Sequence, residues 1–141
     1  MLKPALALSA MLLFPAASLL NPSPARSPQD AAPPAAAAIP ADTKNPVKAT
    51  ADSKAKAKKM YGYDCEMCHN ANGDGKSDLA KDMSLTMTDL TDAKTLAGKS
   101  DADLYNIIQN GKGKMPAEDA ARAKPDDVWN LVLYVRTLAK N

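Results

Sequence analysis

Apolar residues recur with a helical period in three stretches of this 141-residue chain, and no run alternates with period two for long enough to be a strand. The first stretch covers about Ser53 to Cys68, "SKAKAKKMYGYDCEMC". Ala and Lys are good helix formers, Asp52 or Ser53 suits an N-cap, and Ala57, Tyr61 and Cys65 fall every four residues on one face. The second covers about Asp101 to Asn110. Ser100 with Asp103 makes a capping-box pattern, Leu104, Ile107 and Ile108 make the apolar stripe, and Gly111 suits the residue after the helix end. The third covers about Pro125 to Lys140. Pro125 sits at the first turn, and Asp126 and Asp127 lie near the positive end of the helix dipole. Val128, Leu131, Val132, Val135 and Leu138 follow the period, with Trp129 and Tyr134 widening the buried face.

Between the first two helices runs "HNANGDGKSDLAKDMSLTMTDLTDAKTLAGK", long and rich in Gly, Asp, Ser and Thr. A loop of that length in a compact domain needs something to wrap around. The expectation is an all-α domain of three main helices and one long loop, occupying residues 52–141.

What precedes the domain reads differently. Lys3 followed by the apolar "ALALSAMLLFPAASLL" has the form of an export signal over residues 1–25, either cleaved or retained as a membrane anchor. It is short for a spanning helix and broken by Pro15, and no cysteine lies near it to carry a lipid. Residues 26–51 are Pro- and Ala-rich without an apolar face, so a disordered, extended tether is expected there. An exported chain places the domain outside the cytoplasm, in a periplasm-like compartment, free or anchored by its N-terminus.

Charge separates these regions. Residues 60–141 carry ten Lys/Arg against thirteen Asp/Glu, whereas residues 41–59 carry six Lys against Asp42 and Asp52. An acidic domain without a base-stacking aromatic pattern argues against nucleic-acid binding. The basic lead-in suits anionic lipid or an acidic partner, or is simply a solvated face.

The chemistry concentrates in "YGYDCEMCHNANGDG", residues 61–75, which holds both cysteines and the only histidine. A redox Cys-x-x-Cys belongs beside a strand in a βαβ setting, which is missing here. Structural zinc needs four ligands, and Cys65, Cys68 and His69 give three within one helical turn. A calcium loop from Asn70 fails at its twelfth position, where Lys81 stands instead of Glu. Cys-x-x-Cys-His is the attachment pattern of c-type haem. Cysteines three apart on a helical turn face one side and reach two vinyl groups, and the histidine that follows can ligate the iron. A domain so poor in aromatics also gains a core from such a group.

With these residues in view, the chain from about 53 onward resembles the small bacterial monohaem cytochromes c of class I. Tyr61 stands four before Cys65, where that family keeps an aromatic; "NGKGKMP", residues 110–116, resembles its distal loop; and "PDDVWNLVLYVRTL", residues 125–138, resembles its C-terminal helix, with Tyr134 as the packing aromatic. Ala57 departs from the family's frequent glycine at the helix crossing, and "MTDLTD" lacks its loop proline.

The resemblance implies the cytochrome c fold around one covalently bound haem c. It implies Cys65 and Cys68 as thioether residues, His69 as proximal iron ligand and Met115 as distal ligand, with Met83 or Met87 as the alternatives to Met115. Met67, between the cysteines, points away. Histidine with methionine raises the reduction potential and fills both axial sites, which implies a one-electron carrier rather than an enzyme. Its partners are then redox proteins that donate and accept the electron, and the haem domain itself is expected to be monomeric. Lys112 and Lys114, beside Met115, suit an acidic partner or serve as solubilising charge. Two other readings stay open: a tethered subunit of a larger membrane redox complex, and a gas-binding or peroxidatic haem protein if Met115 is not on the iron.

Overall fold

The computed structural model describes residues 36–140, and the expectations for residues 1–25, for the lead-in up to residue 35 and for Asn141 lie outside them. Six helices occur in this range: α1 Ala51–Asp64, α2 Glu66–His69, α3 Asp78–Asp82, α4 Ala93–Ala97, α5 Asp101–Asn110 and α6 Pro125–Leu138. No strand is present among the described residues, and the all-α expectation holds.

The three expected helices are α1 with α2, α5 and α6. Capping fixes their starts. On α5, the Asp103 amide donates to Ser100 Oγ at 3.0 Å and Asp103 Oδ2 accepts from the Ser100 amide at 2.8 Å, as the sequence pattern predicts. On α1 the cap is Thr50, not Asp52 or Ser53: Ser53 N donates to Thr50 Oγ1 and Thr50 N to Ser53 Oγ. Ser53 therefore serves as the third residue of a capping box. The first helix is also not continuous to Cys68. It ends at Asp64, Cys65 leaves ideal helical geometry at φ −117°, and a single turn, α2, resumes.

α1 is polar nearly all round. Its buried residues are Ala57 and Tyr61, and it lies across α6. At this crossing the rings of Tyr61 and Tyr134 meet at 5.2 Å, tilted by 56°, as the resemblance implies. Ala57 is 1% exposed, small enough for the backbones to approach. α5 packs on α6 through Leu104, Ile108, Val128, Leu131 and Val132, and Trp129 stacks against Tyr105 with centroids 4.4 Å apart. Arg136 fastens α6 to the start of α5, donating to Asp101 Oδ1, Leu96 O and Lys99 O.

Part of the lead-in is packed rather than free. Ile39 and Val47 lie on the core, Ile39 exchanges two hydrogen bonds of 2.8 Å with the Asn106 side chain, and Asn45 Nδ2 donates to Trp129 O. The expected tether up to residue 51 is corrected over 39–47. Its Ile, Val and Asn give the α5–α6 face apolar cover and hydrogen-bond partners that a Pro/Ala count does not register.

The long loop contains two five-residue helices, α3 and α4, that anchor through Ala80 and Leu96. The stretch from Asn70 to Lys76 closes on Asp74, whose carboxylate accepts from Asn70 Nδ2, Asn72 Nδ2 and the Lys76 amide at 2.9–3.0 Å. The side-chain hydrogen bond from Asn70 leads these in holding the Asp74 carboxyl down at about 2.

Candidate functional site

The α1–α2 break decides where the pentad faces. After Asp64 the backbone makes one further turn, closed by the amides of His69 and Asn70 donating to Cys65 O and Glu66 O at 2.9 and 2.8 Å. That turn is pinned from outside. Ser77 Oγ donates to Cys68 O, the Gly75 amide donates to His69 O, and Tyr61 Oη donates to Asn70 O. Burial holds the Tyr61 phenol far above its ordinary value, so it stays a donor. Gly75, at φ +70°, has no room for a side chain, since a Cβ there would lie 2.6 Å from Met87 Cβ.

Cys65, Cys68 and His69 thereby line one cavity of about 510 Å³, within the range of roughly 300–1,000 Å³ typical of ligand pockets. Its far wall is aliphatic, from Leu104 and Ile108 of α5 and Leu131 and Val135 of α6, with Leu90 and Leu96 beside them. The segment 84–88 forms the near wall. Met115 and Pro116 also line it, and Lys99, Lys112 and Lys114 are its cations.

Met115 reaches the cavity because of a tight turn. Lys112 and Met115 exchange two backbone hydrogen bonds of 3.0 Å, and Gly111 and Gly113 take positive φ. Gly111 is irreplaceable on steric grounds: a Cβ at this residue would lie 2.5 Å from Met115 O and 2.8 Å from Ala117 N.

All four sequence-derived site residues therefore meet at one cavity. Of the two alternative methionines, Met87 lines it, whereas Met83 is 55% exposed and does not. Met67 is 59% exposed, pointing away as expected. Sequence reasoning did not find the cavity residues Thr86, Thr88 and Lys99, nor Ser77 behind α2, and their loop carries no local pattern that would reveal them.

The electrostatics suit a bulky apolar group bound through uncharged bonds. Both cysteines are unpaired. Burial, with Glu118, Asp64 and Cys68 nearby, pushes the Cys65 thiol up to about 12. The surroundings thus disfavour a thiolate there, and an uncharged thioether suits them. Burial lowers the His69 pKa, keeping the imidazole in the neutral form that binds metal. His69 Nδ1 is buried and has no hydrogen-bond partner among the described residues. The cavity, the two free thiols and the neutral imidazole fit a covalently attached haem. Among the described residues, no helix is long and apolar enough to cross a membrane.

Comparison with known proteins agrees with this geometry. The chain is 30% identical over 83 residues to the Cbb3-type cytochrome c oxidase subunit FixP of Azorhizobium caulinodans, a match over 59% of this chain and 26% of the relative. The matched part thus spans about a quarter of that protein's length. Among solved structures, the KustC0563 c-type cytochrome superposes with a TM-score of 0.52 at 27% identity, over 60% of this chain and 98% of that one. The Kuenenia stuttgartiensis reducing HAO-like protein complex Kustc0457/Kustc0458 superposes at 0.57 and 25% identity, over 72% of this chain and 50% of that one. The family described as cytochrome c oxidase, cbb3-type, subunit III matches residues 52–135, and the chain belongs to it: a class I c-type cytochrome domain that binds haem c covalently and carries electrons.

Proposed function

We propose that this domain is a monohaem one-electron carrier in which Cys65 and Cys68 form the thioethers, His69 is the proximal iron ligand and Met115 the distal one. The observation that carries the reading is the convergence of these four side chains on one aliphatic cavity. When bound, the haem supplies the one-electron couple of its iron. The protein's residues do the rest. Cys65 and Cys68 would hold the ring at the α1–α2 turn, and neutral His69 would donate nitrogen. Leu104, Ile108, Leu131 and Val135 exclude water and lower the local dielectric. Met115 donates sulfur, which favours the ferrous state. Were His69 and Met115 both to ligate the iron, substrate would find no open coordination site, which argues for transfer rather than catalysis.

Exposed Lys112 and Lys114, at the cavity rim, suit an acidic redox partner. The domain works outside the cytoplasm, where c-type haem attachment and an export-like N-terminus agree. A second reading, a fixed subunit of a larger redox complex, is favoured by the names of the relatives, one an oxidase subunit and one part of an HAO-like complex. Fractionation separates the two: release with soluble extracytoplasmic contents marks a free carrier, retention in membranes a subunit.

The ligand set is tested by the near-infrared sulfur-to-iron band of the ferric protein. It is expected in the wild type at neutral pH and lost in Met115→Ala. That variant should also bind carbon monoxide and lower its potential by on the order of 0.1 V, within the roughly 0.8 V that axial ligation spans. A wild type without the band, open to carbon monoxide, would make this a gas-binding or peroxidatic protein instead.

A further inference from the structure

Met115 and His69 come from separate parts of the chain, and few hydrogen bonds join those parts. Residues 111–124 mostly bond to themselves: Lys112 with Met115, and the amides of Arg122 and Ala123 with Asp119 O at 2.9 Å. One backbone bond, Glu118 N to Ile108 O at 3.0 Å, ties the segment to α5. Toward α1 and α2 there is a single hydrogen bond among the described residues, from Arg122 Nη1 to Asp64 Oδ1.

Asp64 sits where a carboxylate is otherwise unfavourable. It is the last residue of α1, at the negative end of the helix dipole, and its side chain is 14% exposed. Glu118, with a side chain 6% exposed, lies 3.5 Å from the same guanidinium, and Asp119 Oδ2 lies 3.4 Å from Arg122 Nε. Two carboxylates this poorly hydrated need a cation. The planar fork of arginine can face both at once in a fixed geometry, which the compact, rotating ammonium of lysine does less well. Asp64 immediately precedes Cys65, and Glu118 follows Met115 by three residues, so the guanidinium joins the attachment turn to the methionine loop. Arg122 does not line the cavity.

We propose that Arg122, paired with Asp64 and Glu118, is a latch that positions the Met115 segment against the Cys65–His69 turn and slows departure of the methionine from the iron. Arg122 acts through Met115 as a positioning residue, and the inference rests on Met115 being the distal ligand.

The test uses the ferric haem-bound protein and added imidazole, an iron ligand that enters only when Met115 leaves. Loss of the sulfur-to-iron band reports the exchange, and guanidinium unfolding is measured alongside. Arg122→Gln should raise the rate and apparent affinity of imidazole uptake about three- to tenfold, with a much smaller change in unfolding midpoint. Asp64→Asn should act similarly, the double variant should add little to either, and Arg122→Lys should recover part of the loss. A wild type lacking the band overturns the ligand reading and the latch together. A wild type with the band, and imidazole uptake unchanged in Arg122→Gln, overturns the latch alone. So do strictly additive single variants, or an effect matched by an equal loss of global stability.

Discussion

The two walls of the haem cavity are built on different terms. The α5–α6 wall is supported by the protein itself. Leu104, Ile108 and Leu131 pack on one another, Trp129 and Tyr105 stack in the same core, and Arg136 braces the junction with three hydrogen bonds. The wall from Ser84 to Thr88 has little of this. Leu85 and Met87 are half-buried, Ser84 takes a positive φ of 51°, and among the described residues no amide from Thr86 to Asp89 donates to another backbone group. One wall is held by the protein's own contacts; the other would draw its contacts from a bound cofactor.

Removing the covalent haem would break this contrast most thoroughly. Cys65→Ala with Cys68→Ala is expected to leave the chain largely unfolded or molten. The loss is of the order of the whole stability of a small domain, about 5 kcal/mol or more, because cofactor binding and folding share one free energy. Circular dichroism and amide exchange on the haem-free variant check it. A cooperative melt with protected amides in α5 and α6 would show that the aliphatic wall stands without the ring, and would overturn the expectation.

Gly111→Ala strikes the boundary between the walls. The positive φ of 73° and the approach of Met115 O together should cost about 2 kcal/mol or more. Denaturant midpoints should fall, and the sulfur-to-iron band should weaken with them. An intact band at wild-type stability would mean that the turn has another conformation available.

Asp127 sharpens the comparison from the self-supported side. Burial raises its carboxyl, but the Lys56 ammonium at 2.6 Å and the Lys124 amide at 3.2 Å outweigh it and hold the pKa below the ordinary 3.8. A depressed carboxyl stabilises the fold fully above its unfolded value, and the contribution is lost as pH falls through the folded value. Asp127→Ala should therefore cost about 1 kcal/mol at pH 7 and almost nothing near pH 2. Unfolding midpoints at the two pH values decide it, and a difference independent of pH would dismiss the carboxylate as the source.

The same division governs what could be read from the sequence. α5 and α6 were legible nearly to the residue, because Ser100, Asp103, Gly111 and Pro125 mark their limits with local chemistry. α1 was legible as a helix but not in its start at Thr50 or its break at Cys65, since neighbouring residues competed as caps and nothing in the sequence marks the break. α3 and α4 were not legible at all. Five residues are too few for an intrinsic helix, and tertiary burial of Ala80 and Leu96 holds them. At the site, Cys65, Cys68 and His69 announce themselves within five residues, and Met115 through its glycines and proline. Arg122 and Arg136 do not, because the partners that matter for the fold, Asp64 and Asp101, lie 58 and 35 residues away. The packed stretch 39–47 escaped for the same reason.

The meeting of Tyr61 with Tyr134 has a consequence in time rather than in energy. It joins the first helix of the domain to the last, so almost the entire intervening chain must close before this contact forms. α5 and α6 are joined by residues 111–124, a far shorter closure than the one between α1 and α6, so they should pair first and α1 should dock late. The attachment turn, carried on the end of α1, should thus stay accessible to whatever machinery joins the ring while its receiving wall is already assembling. Pulse-labelled refolding of the haem-bound protein should show α5 and α6 amides protected before those of α1, and simultaneous protection would contradict this order.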